Sequence, residues 1–237
     1  MTEQYPETAD IETSSDGYAA RFAGPVGEWM LGVQEAVVCS WVRDLSPDAV
    51  LDVGGGHGQL AIPLARDGHK ITVLGSDPVC AKRIEAEIQA GKIEFVTGNV
   101  LALPFPDKSF DVVVSVRLLP HCERWHTLVK EMCRVARKSV IVDYPVDSRL
   151  SSLLFSVKRK LEGNTRTWLT FRHVIVRCEF ERNGFGFKQR KGQFFLPMVL
   201  HRTLKRREIS VFLEAVCRKL GLTRRWGSPV LVEMERT

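Results

Sequence analysis

Short apolar runs alternate with segments of helical periodicity through the first 145 residues of the chain. The apolar runs predict β-strands, and the periodic segments predict helices. The predicted strands are Ala49–Val53, Ile71–Leu74, Ile93–Val96, Asp111–Val116 and Ser139–Val142. The predicted helices between them are Leu60–Arg66, Pro78–Ala90 and Trp125–Val135. Strands that alternate with helices are joined by right-handed crossovers, so the pattern predicts a mainly parallel, doubly wound sheet.

The N-terminal part of the chain changes character at Tyr18. Residues 1–15 are polar and rich in Glu, Thr and Ser, so a flexible arm is predicted for residues 1–17. From Tyr18 onwards a turn leads into an amphipathic helix that carries Met30 and Trp41 on its apolar side. The pair Ser46 and Pro47 is expected to end this helix.

After Tyr144 and Pro145 the regular alternation ends. Residues 148–161 have the apolar spacing of a helix lying over the edge of the sheet, so residues 146–184 are interpreted as a cap that contributes to substrate binding. Within this insertion, residues 163–168 are either the hinge and contact loop of a lid or an ordinary helix-ending turn.

Two late strands are predicted at Phe185–Val199 and Pro229–Met234, with a helix at Ile209–Leu220 between them. Residues 185–237 would then complete the sheet begun by residues 18–145. The predicted fold class is α/β: a Rossmann-like, doubly wound, seven-stranded sheet, mainly parallel, with helices on both faces and a small helical cap.

Composition fits this architecture. With 237 residues, 44% of them hydrophobic and 26% charged, the chain can bury the core of one α/β domain. No apolar run approaches the roughly 20 residues that span a bilayer, and the acidic N-terminal stretch does not resemble a signal peptide. A cytoplasmic protein is therefore expected. The six cysteines are scattered without a C-x-x-C pair, which favours mostly buried thiols and no metal site.

Positive charge is concentrated in the C-terminal part. Residues 146–237 contain 20 Lys and Arg against 8 Asp and Glu, whereas residues 1–145 contain 14 against 20. A basic surface of this kind suits an anionic substrate, a lipid headgroup or nucleic acid. It is equally consistent with a solvated face of helices and hairpins.

The most specific motif is the run from Val50 to Gly58, V-L-D-V-G-G-G-H-G, in which a strand enters a glycine turn before a helix. A dinucleotide fingerprint would require glycine at position 59, which is Gln59, and no Gly-Lys-Ser/Thr of a P-loop follows. Nineteen residues after Gly58, Asp77 closes the second predicted strand. A carboxylate there can accept hydrogen bonds from both ribose hydroxyls, or it can cap the next helix.

Asp52 followed by glycines at 54, 56 and 58 gives the pattern D-x-G-x-G-x-G. This pattern resembles motif I of class I S-adenosylmethionine (SAM)-dependent methyltransferases. The stretches Gly98-Asn99-Val100 and L-P-F-P-D-K-S-F-D (103–111) resemble a signature of the branch that includes ubiquinone- and menaquinone-pathway enzymes, and E-M-C-R-V (131–135) resembles its E-x-x-R-V helix. Asn99 stands where those relatives have a carboxylate that binds the adenine amino group. Its side-chain oxygen can still accept that bond, and a structural Asn turn is the alternative.

The resemblance implies SAM as cofactor and a set of residues that bind it. Asp52 would hold the ammonium group of SAM, directly or through water. The implied cofactor-binding residues are Asp52, Gly54, Gly55, Gly56, Gly58, Asp77, Asn99, Val100 and Ser115. No metal is required, because the methyl group is transferred by in-line displacement from a sulfonium that is already a good leaving group.

At the acceptor end, His121 follows the fourth predicted strand and is the candidate general base. Candidate substrate-binding residues are Tyr18, Arg21, Tyr144 and Arg166. The leading hypothesis is methyl transfer to a small-molecule or lipid-like acceptor. The alternatives are an RNA methyltransferase that uses the basic C-terminal part and a non-catalytic SAM-binding protein.

Overall fold

A computed structural model describes residues 5–147 and 168–237 of the chain. It contains one seven-stranded sheet in the order β3-β2-β1-β4-β5-β7-β6. The strands are β1 (Ala49–Val53), β2 (Lys70–Gly75), β3 (Ile93–Thr97), β4 (Phe110–Ser115), β5 (Ala136–Tyr144), β6 (Phe185–Gly192) and β7 (Val230–Arg236). The order reverses between β1 and β4, so the carboxyl ends of these two strands flank the crevice where ligands of doubly wound folds bind.

The first five strands pair in parallel, as their alternation with helices predicts. Strand β7 runs antiparallel to both of its neighbours, β5 and β6. The predicted α/β fold, a mainly parallel seven-stranded sheet, is therefore confirmed. All seven predicted strands exist, and most differ from their predicted bounds by one to three residues at an end.

Helices cover both faces of the sheet. On one face, α6 (Trp125–Val135) and α7 (His173–Arg182) bury Leu128, Met132 and Phe180. On the other face, α3 (Gly24–Leu45) and α4 (Ala61–Arg66) bury Val38 and Leu64. The connection after β2 is a 3-10 helix (Pro78–Ile84) followed by α5 (Glu85–Gln89), where one continuous helix was predicted. None of the helices in the described ranges is long and apolar enough to cross a membrane.

The N-terminal segment differs from the predicted arm. Residues expected to be flexible form α1 (Ala9–Thr13), and the last two residues of the predicted arm begin α2 (Asp16–Ala20). Asp10 and Thr13 are buried, so α1 is held by tertiary contacts that its polar composition does not reveal. The long helix α3 follows and ends before Ser46, which adopts a left-handed conformation (φ 43°) at the predicted stop.

The C-terminal part contains more helix than predicted. The expected strand Phe185–Val199 ends at Gly192 and is followed by α8 (Met198–Leu204), α9 (Arg207–Lys219) and α10 (Leu222–Trp226). Helix α7 falls within the predicted cap, yet Val176 and Phe180 pack into the main core. Residues 148–167 of that cap, which include Arg166 and the predicted helix at residues 148–161, lie outside the described residues.

Arg134 of α6 fixes the loop after β3. Its guanidinium donates hydrogen bonds to the Leu103 and Phe105 carbonyl oxygens at 2.9 and 2.8 Å and to Glu131. Glu131 in turn accepts a bond from the Leu103 amide at 2.8 Å. Two motifs that are separate in the sequence therefore form one network, which orders the loop that follows Asn99.

We predict that Arg134→Gln lowers the free energy of unfolding by about 2–4 kcal/mol, because several charge-assisted hydrogen bonds to the loop are lost together. Urea denaturation followed by circular dichroism would measure the change. The control is Lys130→Gln on an exposed turn of the same helix, expected within about 0.5 kcal/mol of the parent. Equal stabilities of the two variants would contradict a structural role for this network.

Candidate active site

The glycine turn lies at the carboxyl end of β1 and is shaped by the side chain that precedes it. Gly54 has a φ of 76°, a conformation that favours glycine, and its amide donates to the Leu74 carbonyl oxygen at 2.8 Å. A Cβ added to Gly55 would overlap the Asp52 carboxylate, and one added to Gly56 would overlap the Cys80 carbonyl oxygen. The turn therefore wraps directly around Asp52.

Asp52 is buried, and its Oδ1 has no hydrogen-bond partner among the described residues. Burial removes the carboxylate from water and raises the pKa of Asp52 to about 7, although the nearby Arg117 guanidinium opposes this shift. A buried carboxylate with a free oxygen is an acceptor that favours a cationic donor.

Arg117 follows β4 and adopts a left-handed backbone conformation with φ 61°. This conformation is unfavourable for a residue with a Cβ and occurs often at functional sites. Asp143, at the end of β5, supports it by accepting a hydrogen bond from the Arg117 amide at 2.6 Å. Gln34 of α3 donates to the other Asp143 oxygen at 2.7 Å, so this support is itself anchored.

The Arg117 side chain lies over two aromatic rings and faces the glycine turn. Its guanidinium carbon is 5.5 Å from the centre of the Tyr18 ring and 5.2 Å from that of Phe22. Its Nε and Nη1 are buried and have no hydrogen-bond partner in the described part of the chain. Cation–π contacts thus orient the guanidinium while leaving its N–H donors available.

Asp52 and Arg117 line the same small cavity beside the turn, about 10 Å³ in volume, together with Thr13 and His57. Both ring nitrogens of His57 are buried without a partner among the described residues. Burial and the nearby Arg117 charge lower the pKa of His57 to about 4, so this imidazole is neutral at pH 7. The cavity therefore brings together the carboxyl group of Asp52, the guanidinium of Arg117 and the neutral imidazole of His57, each with a polar atom that has no partner among the described residues.

Helix α1 covers this cavity and the end of β2. Asp10 accepts hydrogen bonds from the Ser76 amide at 2.6 Å and from the Ser76 hydroxyl at 2.5 Å. Ser14 lies directly against Gly56. The N-terminal segment therefore closes the crevice, and a carboxylate that does not belong to the predicted motifs stands at the carboxyl end of β2.

The remaining predicted cofactor residues cluster around the crevice, several of them in structural contacts. Asp77 lies two residues beyond β2, and its Oδ1 accepts from the Val79 amide at 2.8 Å as a helix cap. Asn99 Oδ1 accepts from the Leu101 amide at 2.9 Å in a local turn. Ser115 donates to the Val53 carbonyl oxygen at 3.0 Å, which ties β4 to β1, and Val100 is buried.

Of the candidate acceptor residues, those that the structure describes do not converge on one point. His121 is buried, packs edge-on against Trp168 at 5.0 Å and lines a polar groove of about 400 Å³ beside α1. Tyr18 is buried under Arg117, whereas Arg21 pairs with Glu12 at 3.3 Å on the surface. The Tyr144 hydroxyl is 2.6 Å from His173 Nδ1 inside the core, so that side chain is not presented to a ligand.

Three residues of the site were not identified in the sequence. Asp10 lies in a polar stretch without apolar periodicity, and Asp143 follows a buried strand without any motif. The signal for Arg117 was its place in the segment after β4, which also supplied the candidate His121. Their roles depend on contacts between residues up to 109 positions apart, as in the bond between Gln34 and Asp143.

Comparison with known proteins agrees with this arrangement. Residues 51–142 match the family model described as "Methyltransferase domain". A fatty-acid O-methyltransferase of Mycolicibacterium smegmatis is 38% identical over 100 residues, which are 40% of this chain and 35% of the relative. A demethylmenaquinone methyltransferase of Deinococcus radiodurans is 32% identical over 139 residues, 56% of this chain and 53% of the relative. The chain thus spans about half or less of these relatives.

A solved structure extends the similarity over nearly the whole fold. Magnesium protoporphyrin IX methyltransferase from Synechocystis, determined with bound SAH, aligns with a TM-score of 0.69 at 16% identity. The alignment covers 97% of this chain and 98% of that one. At this identity the similarity establishes a shared fold.

The raised pKa of Asp52 predicts a specific pH dependence of stability. Between the unfolded pKa of 3.8 and the folded value of about 7, the folded carboxyl holds a proton that the unfolded one has lost. This contribution to stability is fully present below about pH 4 and is lost as the pH rises through about 7. Asp52→Asn should remove it, changing the slope by up to about 1.4 kcal/mol per pH unit in this window.

Urea denaturation at several pH values would measure both slopes. His57 contributes in the opposite direction, since its folded pKa is lowered, but it is present in both proteins and cancels in the comparison. Asp44→Asn on the exposed end of α3 is the control and should keep the parent slope. Parallel curves for the parent and Asp52→Asn would contradict the assignment.

Proposed function

We propose that this chain is a class I SAM-dependent methyltransferase that transfers the methyl group of SAM to an apolar small-molecule or lipid-like acceptor; the match of residues 51–142 to a methyltransferase domain supports this proposal. The observation that carries the proposal is a set of buried polar atoms without partners among the described residues beside the glycine turn, the Oδ1 of Asp52 and the Nε and Nη1 of Arg117. Buried charges require partners, and a zwitterionic amino-acid group offers one to each.

The methionyl end of SAM fits these two residues. Asp52 would accept hydrogen bonds from the ammonium group, which would also favour the ionised carboxylate. Arg117 would donate from Nε and Nη1 to the carboxylate, a charge-assisted contact of the kind that arginine forms well. The glycine turn provides close backbone approach, since a Cβ at Gly55 would occupy space against Asp52.

The nucleoside end would lie across the ends of β2 and β3. The capping role of Asp77 leaves its Oδ2 free of hydrogen-bond partners within the described ranges, and Oδ2 would accept from a ribose hydroxyl. Asn99 uses Oδ1 in its turn, and the second lone pair of that oxygen would serve the adenine amino group. Because α1 fills the crevice, cofactor entry requires α1 to move away from Ser76.

When bound, SAM supplies an electrophilic methyl group on a sulfonium, and its transfer leaves S-adenosylhomocysteine. The protein would orient the acceptor in line with that bond and exclude water, for which the buried surroundings of Tyr18 and Leu118 are suited. His121 would take the proton of a hydroxyl acceptor; a carboxylate acceptor would need no base. The names of the two curated relatives support an apolar acceptor.

Arg117→Gln should weaken SAM binding about tenfold or more, because hydrogen bonds to a charged group are lost. Decarboxylated SAM has no carboxylate, so its affinity should be almost the same for parent and variant. Isothermal titration of both ligands against both proteins would test this. A loss of equal size for the two ligands would mean that Arg117 only supports the fold.

The control is Arg177→Gln on α7. Arg177 also lies over an aromatic ring, that of Phe187 at 5.8 Å, but on the far side of the sheet from α3. This variant should bind SAM as the parent does. A similar loss of SAM affinity in Arg177→Gln would indicate a general effect of removing a positive charge from the protein.

Release of S-adenosylhomocysteine would test the activity itself. Purified chain with SAM should turn over with a long-chain fatty acid or a reduced demethylated quinone and give only background with RNA. His121→Gln should lower kcat with the reduced quinone, which carries hydroxyl groups, and should leave kcat with the fatty acid, which reacts as a carboxylate, unchanged. Methylation of RNA without turnover of apolar acceptors would replace this proposal with the RNA alternative, and SAM binding without any turnover would favour the non-catalytic one.

A further inference from the structure

Helix α9 exposes the apolar side chains that an amphipathic helix normally buries. Ile209, Phe212, Val216 and Leu220 follow one another at intervals of three or four residues and so share a face. All four are exposed, Phe212 to 67% and Leu220 to 68%. Ser210 and Glu214 on the opposite side are fully buried. The polar face is inside and the apolar face is in contact with solvent.

Buried hydrogen bonds hold the helix in this orientation. Glu214 accepts from the Phe195 and Leu196 amides at 3.0 and 2.8 Å and lies 3.2 Å from His201 Nε2. The Thr223 hydroxyl adds a longer contact at 3.4 Å. Rotating α9 to bury Phe212 would break these bonds and leave a buried carboxylate without partners, which is strongly unfavourable. The exposed apolar face is therefore built into the fold.

Basic residues flank this apolar face at both ends. Lys205, Arg206 and Arg207 precede or begin the helix, and Arg218 and Lys219 end it. Further along, Arg225 lies over the ring of the exposed Trp226 at 5.0 Å. Glu208 is the only exposed acidic residue between positions 205 and 225, since Glu214 is buried. The surface around the apolar stripe is strongly positive.

The helix lies close to the covered crevice. Both α8 and α9 contact α3. Phe194, which lies between β6 and α8, packs against Met30 of α3. Arg202 of α8 lies over the Phe22 ring at 5.1 Å, and Arg117 also lies over that ring, at 5.2 Å. One phenylalanine thus separates the α8–α9 unit from the site.

We propose that α9 binds the surface of anionic lipid membranes, with its apolar face among the acyl chains and its flanking basic residues on the headgroups. An apolar stripe bordered by Lys and Arg is the pattern of helices that lie in a membrane interface. Its 13 residues give a length of about 20 Å parallel to the surface. The flanking basic residues favour an anionic lipid surface over a neutral one. The exposed apolar residues favour a membrane over a polyanion such as RNA, which offers no apolar interior.

Sedimentation of the full chain with vesicles tests the proposal without reference to catalysis. Binding is expected to vesicles of mixed phosphatidylcholine and phosphatidylglycerol, and much less to pure phosphatidylcholine. Phe212→Ser should lower the partition coefficient about tenfold, since a phenyl ring no longer enters the acyl region. Lys219→Gln should lower it about fivefold on the anionic vesicles alone.

Matched controls are Val174→Ser, an exposed apolar residue on α7, and Lys92→Gln, an exposed lysine in the acidic half of the chain. Both should bind as the parent does. No binding to anionic vesicles, or binding that Phe212→Ser leaves unchanged, would overturn the proposal. It would also be overturned by a stable dimer in analytical ultracentrifugation that Phe212→Ser dissociates, or by tight RNA binding that Lys219→Gln weakens and Phe212→Ser does not.

Discussion

Buried charge at the carboxyl ends of β1 and β4 is the constraint on which the site depends. Asp52 is buried and Arg117 is half-buried, and the Asp52 Oδ1 and the Arg117 Nε and Nη1 atoms are shielded from water without a hydrogen-bond partner among the described residues. Such an arrangement costs free energy, so the surrounding structure has to impose it. The glycine turn leaves room for the Asp52 carboxylate, and Asp143 holds Arg117 in its left-handed conformation. The same features that are unfavourable for the fold locally are the ones on which the proposed binding of the zwitterionic end of SAM rests.

Much of the fold could be predicted because its signals are local. The buried strands β1 and β2 read as apolar runs, and the bounds of α6 follow directly from its periodicity. Within the site, the turn around Gly54 was identifiable because its positive φ strongly favours glycine. For Asp77 and Asn99 the sequence left two roles open, a cofactor ligand or a local structural contact. The structure shows the local contact in both cases: Asp77 caps the following helix, and Asn99 forms a turn.

The features that were missed depend on contacts between distant residues or on a reversed pattern. Helix α1 has no apolar face; it is ordered because Asp10 finds Ser76, 66 positions away. Residues 193–199 were assigned to a strand because they are apolar, but Gly192 ends the strand and Glu214 binds the amides that follow. For α9 the periodicity gave the correct helix, yet the usual assumption that the apolar face is buried is wrong there. The buried hydrogen bonds of Glu214 to the Phe195 and Leu196 amides hold the polar face inside and leave Phe212 exposed.

Two features that the sequence did not reveal, the ordered N-terminal helices and the exposed apolar face of α9, both lie near Phe22. Its ring contacts Arg117 on the side of the crevice and Arg202 on the side of α8, at 5.2 and 5.1 Å. Phe22 lies in the short connection between α2 and α3, so it belongs to the N-terminal segment that covers the glycine turn. The elements that close the crevice and the helices next to the exposed apolar surface therefore contact the same side chain. An acceptor arriving at α9 would meet the molecule at the end where the N-terminal helices have to open.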